Sequence, residues 1–199
     1  MSRGRLEAFT DAVIAVVITI MVLDLRPPGG ESLADLRPLL PKLAVYLLSF
    51  VFLAIYWNNH HHMFQVVSRI SGGVLWANAH LLFWLSLTPV AAAWLGPHLG
   101  DTAPAAVYGV VLLGSAIAYT ILIRSLLAVQ PADSPLARAI GRDAKGLLSI
   151  VAYVVAIAVS PLAAWLSLGM YFAVAAVWLV PDRRMERVLR PRQGVDVAE

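Results

Sequence analysis

The sequence predicts an all-α membrane protein that crosses the bilayer six times, and three observations predict it. Of its 199 residues, 60% are hydrophobic and 14% charged, with a mean hydropathy of +0.77. A soluble domain is about half apolar and about a quarter charged. The roughly 119 apolar side chains are enough for six helices at roughly 20 residues each, and they fall into stretches of that length. Lys and Arg are divided unevenly between alternate loops. These features exclude a soluble globular enzyme, a disordered tail protein and a DNA-binding domain. The pI near 9.5 comes from basic residues spread over loops rather than a stripe. With no cysteine there is no disulfide framework, thiol nucleophile or Cys-type zinc site. The first 25 residues do not read as a cleavable signal peptide, because the apolar run is too long and carries Glu7 and Asp11.

The first span is expected at Leu6–Leu25, stopped by Arg26-Pro27-Pro28-Gly29-Gly30, since proline breaks helices. The second is expected at Leu39–Asn59. The third, Val74–Leu95, follows Ser71-Gly72-Gly73 and ends at Gly96-Pro97 and Gly100. The fourth is Ala105–Leu127, with Pro131 and Pro135 bracketing the loop after it. Gly146 to Val180 is one uncharged stretch, broken only around Pro161 and Ser167-Leu168-Gly169. It suits a tight hairpin of two spans, Ala144–Ala163 and Leu166–Val180. Residues 1–182 thus form one six-helix transmembrane domain, and residues 183–199 a basic cytoplasmic tail.

Six spans put both ends on one side. The N-terminus, second and fourth loops and tail carry Arg3, Arg5, Arg69, Arg124, Arg138, Arg142, Lys145, Arg183, Arg184, Arg187, Arg190 and Arg192, against Arg26, Arg37 and Lys42 opposite. Cytoplasmic loops hold the excess of Lys and Arg, so both termini are expected in the cytoplasm, under a cell (inner) membrane.

Ionisable residues at membrane depth are expensive and mark candidate sites. On a wheel of about 100° per residue, Phe9, Ala12, Val16, Thr19 and Leu23 share an arc of about 80°. Asp11 lies about 120° from its middle and needs a partner within the protein. A Val/Thr/Leu stripe is also what ordinary helix packing produces, so periodicity alone leaves both readings open. The second helix ends Tyr56-Trp57-Asn58-Asn59-His60-His61-His62-Met63-Phe64. Three adjacent histidines diverge around a helix and cannot share one metal, whose ligand pairs sit at i and i+4. One or two of these imidazoles, with Trp57 and Asn59, are expected to hydrogen-bond the inner end of the first helix, near Arg5 and Asp11. Asn78 and His80 lie at a similar depth and could join. Gly109, Gly114 and the alanines around them suit close helix packing. No Ser-His-Asp set, phosphate-binding glycine loop or carbonyl filter of the tetrameric potassium-channel type is present.

Arg5-x-x-x-Phe9-Thr10-Asp11, continued by Ala12-Val13-x-Ala15-x-x-Ile18-Thr19-x-x-Val22-Leu23, resembles the signature of the transmembrane protein 175 family of endosomal and lysosomal potassium channels and their prokaryotic relatives. Tyr56-Trp57-x-Asn59-His60-His61-x-x-Phe64 resembles that family's second motif. The resemblance implies a homotetramer of six-helix chains whose first helices surround a central pore. It implies potassium-over-sodium selectivity from a hydrophobic constriction at Val16, a hydroxyl ring at Thr19 and a second apolar ring at Leu23, with Ala12 on the same lining. It further implies that Arg5, Phe9, Thr10, Asp11, Trp57, Asn59 and His60 form a structural network behind the pore. No cofactor, tightly bound metal or nucleic acid is implied; the permeant K+ is only transient near Thr19, and the partners are other copies, lipid and monovalent cations. Two positions depart from the family pattern: Thr10 replaces the usual Ser, and Val16 replaces Ile or Leu, giving a slightly wider ring. Two rivals differ in class. One is a membrane haem-binding redox protein ligated by His60 or His61 and His80. The other is a proton-coupled transporter using Asp11 and the histidines.

Overall fold

A computed structural model describes residues 2–140 and 143–179. Arg142, Val180 at the end of the expected sixth span, and the basic tail lie outside the described residues. Every regular element among the described residues is helical: α1 Arg3–Leu23, α2 Leu40–Gln65, α3 Gly72–Ser86, α4 Thr88–Leu95, α5 Thr102–Leu127, α6 Pro135–Ile140, α7 Ala144–Val159 and α8 Ala164–Leu179. By length and composition, α1, α2 with the 3-10 turn before it, α3 with α4, and α5 can each cross a membrane. The paired α7 and α8 are shorter apolar helices.

The helix ends follow local chemistry. Ser32 and Asp35 form a capping box, with the Ser32 N–H donating to Asp35 Oδ2 at 2.9 Å, and this turn leads into α2. Asp143 caps α7 by accepting from the Gly146 N–H at 2.9 Å. Gly100 has φ +94°, and a Cβ there would press on the Trp165 ring.

Several helix ends differ from expectation by a few residues (α7 stops at Val159 rather than Ala163), and two differences bear on the site. The second runs to Gln65 rather than stopping at Asn59, because no glycine or proline interrupts the histidine segment before Ser71-Gly72. The histidines therefore sit within α2. The third expected span is made of two helices, α3 and α4, because Pro89 lacks an N–H and its ring crowds the turn before it. The chain breaks at Leu87, whose N–H reaches Trp84 O at 3.2 Å.

Two hydrophobic cores join in the middle of the bundle. Ile14, Val17, Leu53, Phe64, Leu81 and Leu122 lie in the core shared by α1, α2, α3 and α5. Leu48, Phe52, Leu95, Tyr108, Tyr153 and Tyr171 lie in the other, which joins α2 and α4 to α5, α7 and α8. The helix α5 belongs to both, with 56% of its membrane-length window buried against 28% for α1. Most of α1 is therefore left without a partner inside the chain.

Candidate pore-lining face and its anchoring network

The helix α1 buries one face and presents another. Leu6, Thr10, Ile14, Val17 and Met21 recur every three or four residues and are buried. Almost opposite stand Phe9, Ala12, Val16, Thr19 and Leu23, all exposed; Val16 is 56% and Leu23 72% exposed. At 1.5 Å rise per residue, Val16 and Thr19 lie about 4.5 Å apart along the axis, and Thr19 and Leu23 about 6 Å. The Thr19 hydroxyl donates to Ala15 O at 2.8 Å. Its proton is thereby committed to the helix, which leaves oxygen lone pairs to face outward, the form that suits a cation.

The buried side of α1 is tied to its neighbours by polar contacts. Thr10 is fully buried, and its Oγ1 accepts from Asn78 Nδ2 at 2.9 Å. The same Asn78 meets His60 Nε2 through Oδ1 at 2.9 Å, and His60 stacks on Phe64 with ring centroids 4.3 Å apart. Thr10, Asn78 and His60 thus bind α1, α3 and α2 at one level. On a third face of α1, Trp57 Nε1 donates to Asp11 Oδ1 at 3.0 Å.

A second cluster closes the end of the α1–α2 pair where α1 begins and α2 stops. Arg3 donates to the carbonyls of Gln65 and Val67, both at 3.3 Å, and lies 3.6 Å from Glu7. His61 stands 4.0 Å from Glu7, hydrogen-bonds Gln65 at 2.8 Å and stacks on Trp57. Sequence reasoning did not single out Arg3, Glu7 or Gln65. Their signal was helical spacing: Arg3 and Glu7 are four apart, as are His61 and Gln65.

Other expected members stand elsewhere. Arg5 is exposed, on the side of α1 that carries Val16 and Leu23, and has no hydrogen bond or ion pair with a described residue. Asn59 turns away from α1, because it lies on the side of α2 that faces α5 and α7. His80 is exposed and accepts from Trp84 Nε1 at 3.0 Å, one turn along its own helix. The nitrogens that a haem pair would use, His60 Nε2 and His80 Nε2, are thus both engaged. The three adjacent histidines diverge as expected, and among the described residues no three His, Asp or Glu side chains gather at a potential metal site.

The fold and this face define a polytopic α-helical membrane protein whose first helix carries an exposed strip of apolar and hydroxyl side chains, held from behind by buried polar contacts. The family model described as "Endosomal/lysosomal potassium channel TMEM175" matches residues 5–89, which include α1 and the histidine segment. A potassium channel of Chryseobacterium sp. (strain P1-3) is 48% identical over 96% of this chain and 99% of its own length. A potassium channel of Chamaesiphon minutus is 31% identical over 86% of this chain and 91% of its own. The crystal structure of a lysosomal potassium-selective channel TMEM175 homolog from Chamaesiphon minutus superposes with a TM-score of 0.79 at 29% identity, covering 92% of this chain and 97% of that one. The chain belongs to the TMEM175 family.

Proposed function

We propose that the chain is a potassium channel that conducts passively across the cell membrane as a homotetramer, with four copies of α1 around the path. The observation that carries this reading is the exposed α1 strip: Val16 and Leu23 flank Thr19, whose hydroxyl proton is spent on its own helix. Potassium-channel relatives that match nearly the whole chain support the ion. In this scheme the Val16 ring is a hydrophobic constriction that gates by dewetting. The Thr19 ring offers four oxygens in partial replacement of lost hydration. With no fixed charge on the strip between Phe9 and Leu23, beyond Arg5 at its start, an ion is held weakly there and passes on. Both termini lie in the cytoplasm, six helices cross the membrane, and no resident cofactor takes part.

The test is ion flux in liposomes. Thr19→Ala is expected to weaken potassium-over-sodium preference. If four hydroxyls together favour potassium by about 1.4 kcal/mol, the ratio falls about tenfold. Val16→Asn is expected to hydrate the constriction and raise resting leak. Unchanged flux and selectivity in both variants would sink the pore assignment while leaving the fold intact.

A further inference from the structure

The face of α2 opposite Trp57 borders a crevice shared with α5, α7 and α8. Its walls are the rings of Phe52, Tyr56, Tyr119, Tyr153 and Trp178, with Asn59 among them. The lining comes from the later halves of α2 and α5, the first turns of α7 and the end of α8. The crevice therefore lies toward the end of the bundle where α1 begins.

Its polar groups fall into two sets. Three are already engaged: Thr120 Oγ1 donates to Ala116 O at 2.9 Å, Ser149 Oγ donates to Lys145 O at 2.8 Å, and Trp178 Nε1 donates to Ser149 Oγ at 2.8 Å. Four are not: the hydroxyls of Tyr56, Tyr119 and Tyr153 and the amide of Asn59 have no hydrogen-bond partner among the described residues. Among the described residues the one buried side-chain atom without a partner is His62 Nδ1, so each of these four groups still reaches open space. Buried polar groups in native proteins are satisfied by protein or by ordered water. The cavity offers about 30 Å³ to the centres of water-sized molecules, and one water needs roughly 10–15 Å³ by that measure. Each buried water makes about three hydrogen bonds, so two waters match four unmet groups. A lipid tail carries no hydrogen-bonding group and would leave the hydroxyls unmet.

We propose that this crevice is a built water site, holding about two ordered waters that join Tyr56 and Asn59 of α2 to Tyr119 of α5 and Tyr153 of α7. The helix α2 then meets α1 and α3 by direct hydrogen bonds (Trp57 to Asp11, His60 to Asn78), meets α5 directly where the Ser49 and Tyr108 hydroxyls lie 2.9 Å apart, and in this crevice joins α5 and α7 through water. The site does not depend on conduction.

Two measurements test it on the full chain in lipid nanodiscs. A map resolving ordered solvent is expected to show about two isolated peaks within hydrogen-bond reach of these four groups. A dry cavity, or an elongated density of lipid or detergent, overturns the proposal. Filling the cavity gives a second readout with a defined sign. Ala116→Val, which intrudes on the water, is expected to lower the thermal midpoint by several degrees. The same change placed in a Tyr56→Phe, Tyr119→Phe, Tyr153→Phe background, where three hydroxyls no longer need solvent, is expected to lose that penalty. An equal drop in both backgrounds marks overpacking and overturns the proposal, as does a rise in the tyrosine background.

Discussion

Asn78 is the residue whose loss tests the anchoring of α1 most directly. It is 1% exposed and serves two helices at once, donating to Thr10 and pairing with His60. Asn78→Leu keeps the volume and removes both contacts. The two orphans then fare differently. Thr10 lies in the interior of α1, so its hydroxyl can turn to the carbonyl four residues back, as Ser and Thr do in helices. His60 has no such retreat, because its ring is 2% exposed and stacked on Phe64. Leaving one buried polar group unmet costs about 1–3 kcal/mol. For a chain of this size that is a fall of roughly 2–12 °C in thermal midpoint, at about 2–4 °C per kcal/mol. The assay is fluorescence-detected thermal unfolding of the detergent-solubilised channel. The double variant Asn78→Leu, His60→Phe removes the orphan along with its partner, and it should recover most of the loss. A double variant that falls by the sum of its single effects would refute the reasoning, since independent residues add and members of one network do not.

Three further outcomes are expected. A Cβ at Gly114 would overlap the Trp84 ring, so Gly114→Ala should destabilise by about 1–3 kcal/mol through overpacking, and a Trp84→Leu background should remove that penalty in the same unfolding assay. Trp57→Phe keeps the stack on His61 but deletes the donor to Asp11; because that pair is exposed, its cost in protomer stability should stay below that of Asn78→Leu, read as a smaller midpoint shift. The chain has no cysteine, so Thr19→Cys and Val154→Cys can be compared alone, Val154 being exposed on α7; a water-soluble thiol reagent should label Cys at 19 far faster than at 154, and equal labelling would place the α1 strip in lipid.

Much of this arrangement is legible in the sequence, for a physical reason. A bilayer removes most of the freedom that makes soluble folds hard to read, because spans must be helical and of set length. Depth is then nearly a coordinate. Asp11 near the start of α1 and Trp57 near the end of the returning α2 had to share a level, and they hydrogen-bond. Azimuth is not fixed in this way. Asn59 is two residues from Trp57, so it projects about 200° away around α2, and it faces the water crevice rather than α1. Arg5 and Arg3 differ by the same two positions, and it is Arg3 that reaches α2. The break at Leu87 was written in Thr88-Pro89, but hydropathy runs unbroken across it and hides the change of axis.

The faces of α1 also bear on why a helix proposed to line the pore is so little enclosed. On the proposed reading, α1 must satisfy two opposed demands in 21 residues: a rigid attachment to its own bundle, and a surface no neighbour in the chain may occupy. Apolar packing alone would meet the first poorly, because lipid tails solvate Ile14, Val17 and Met21 about as well as protein does. Hydrogen bonds have no such substitute in a bilayer. The Thr10–Asn78–His60 and Asp11–Trp57 contacts therefore fix the rotation of α1 about its axis where packing could not. A slip of one residue would turn Val16 and Thr19 about 100° off their direction and break these bonds together. In the proposed channel, the polar contacts near the start of α1 and the exposed strip beyond them are two halves of one device, in which the first sets the angle at which the second is shown.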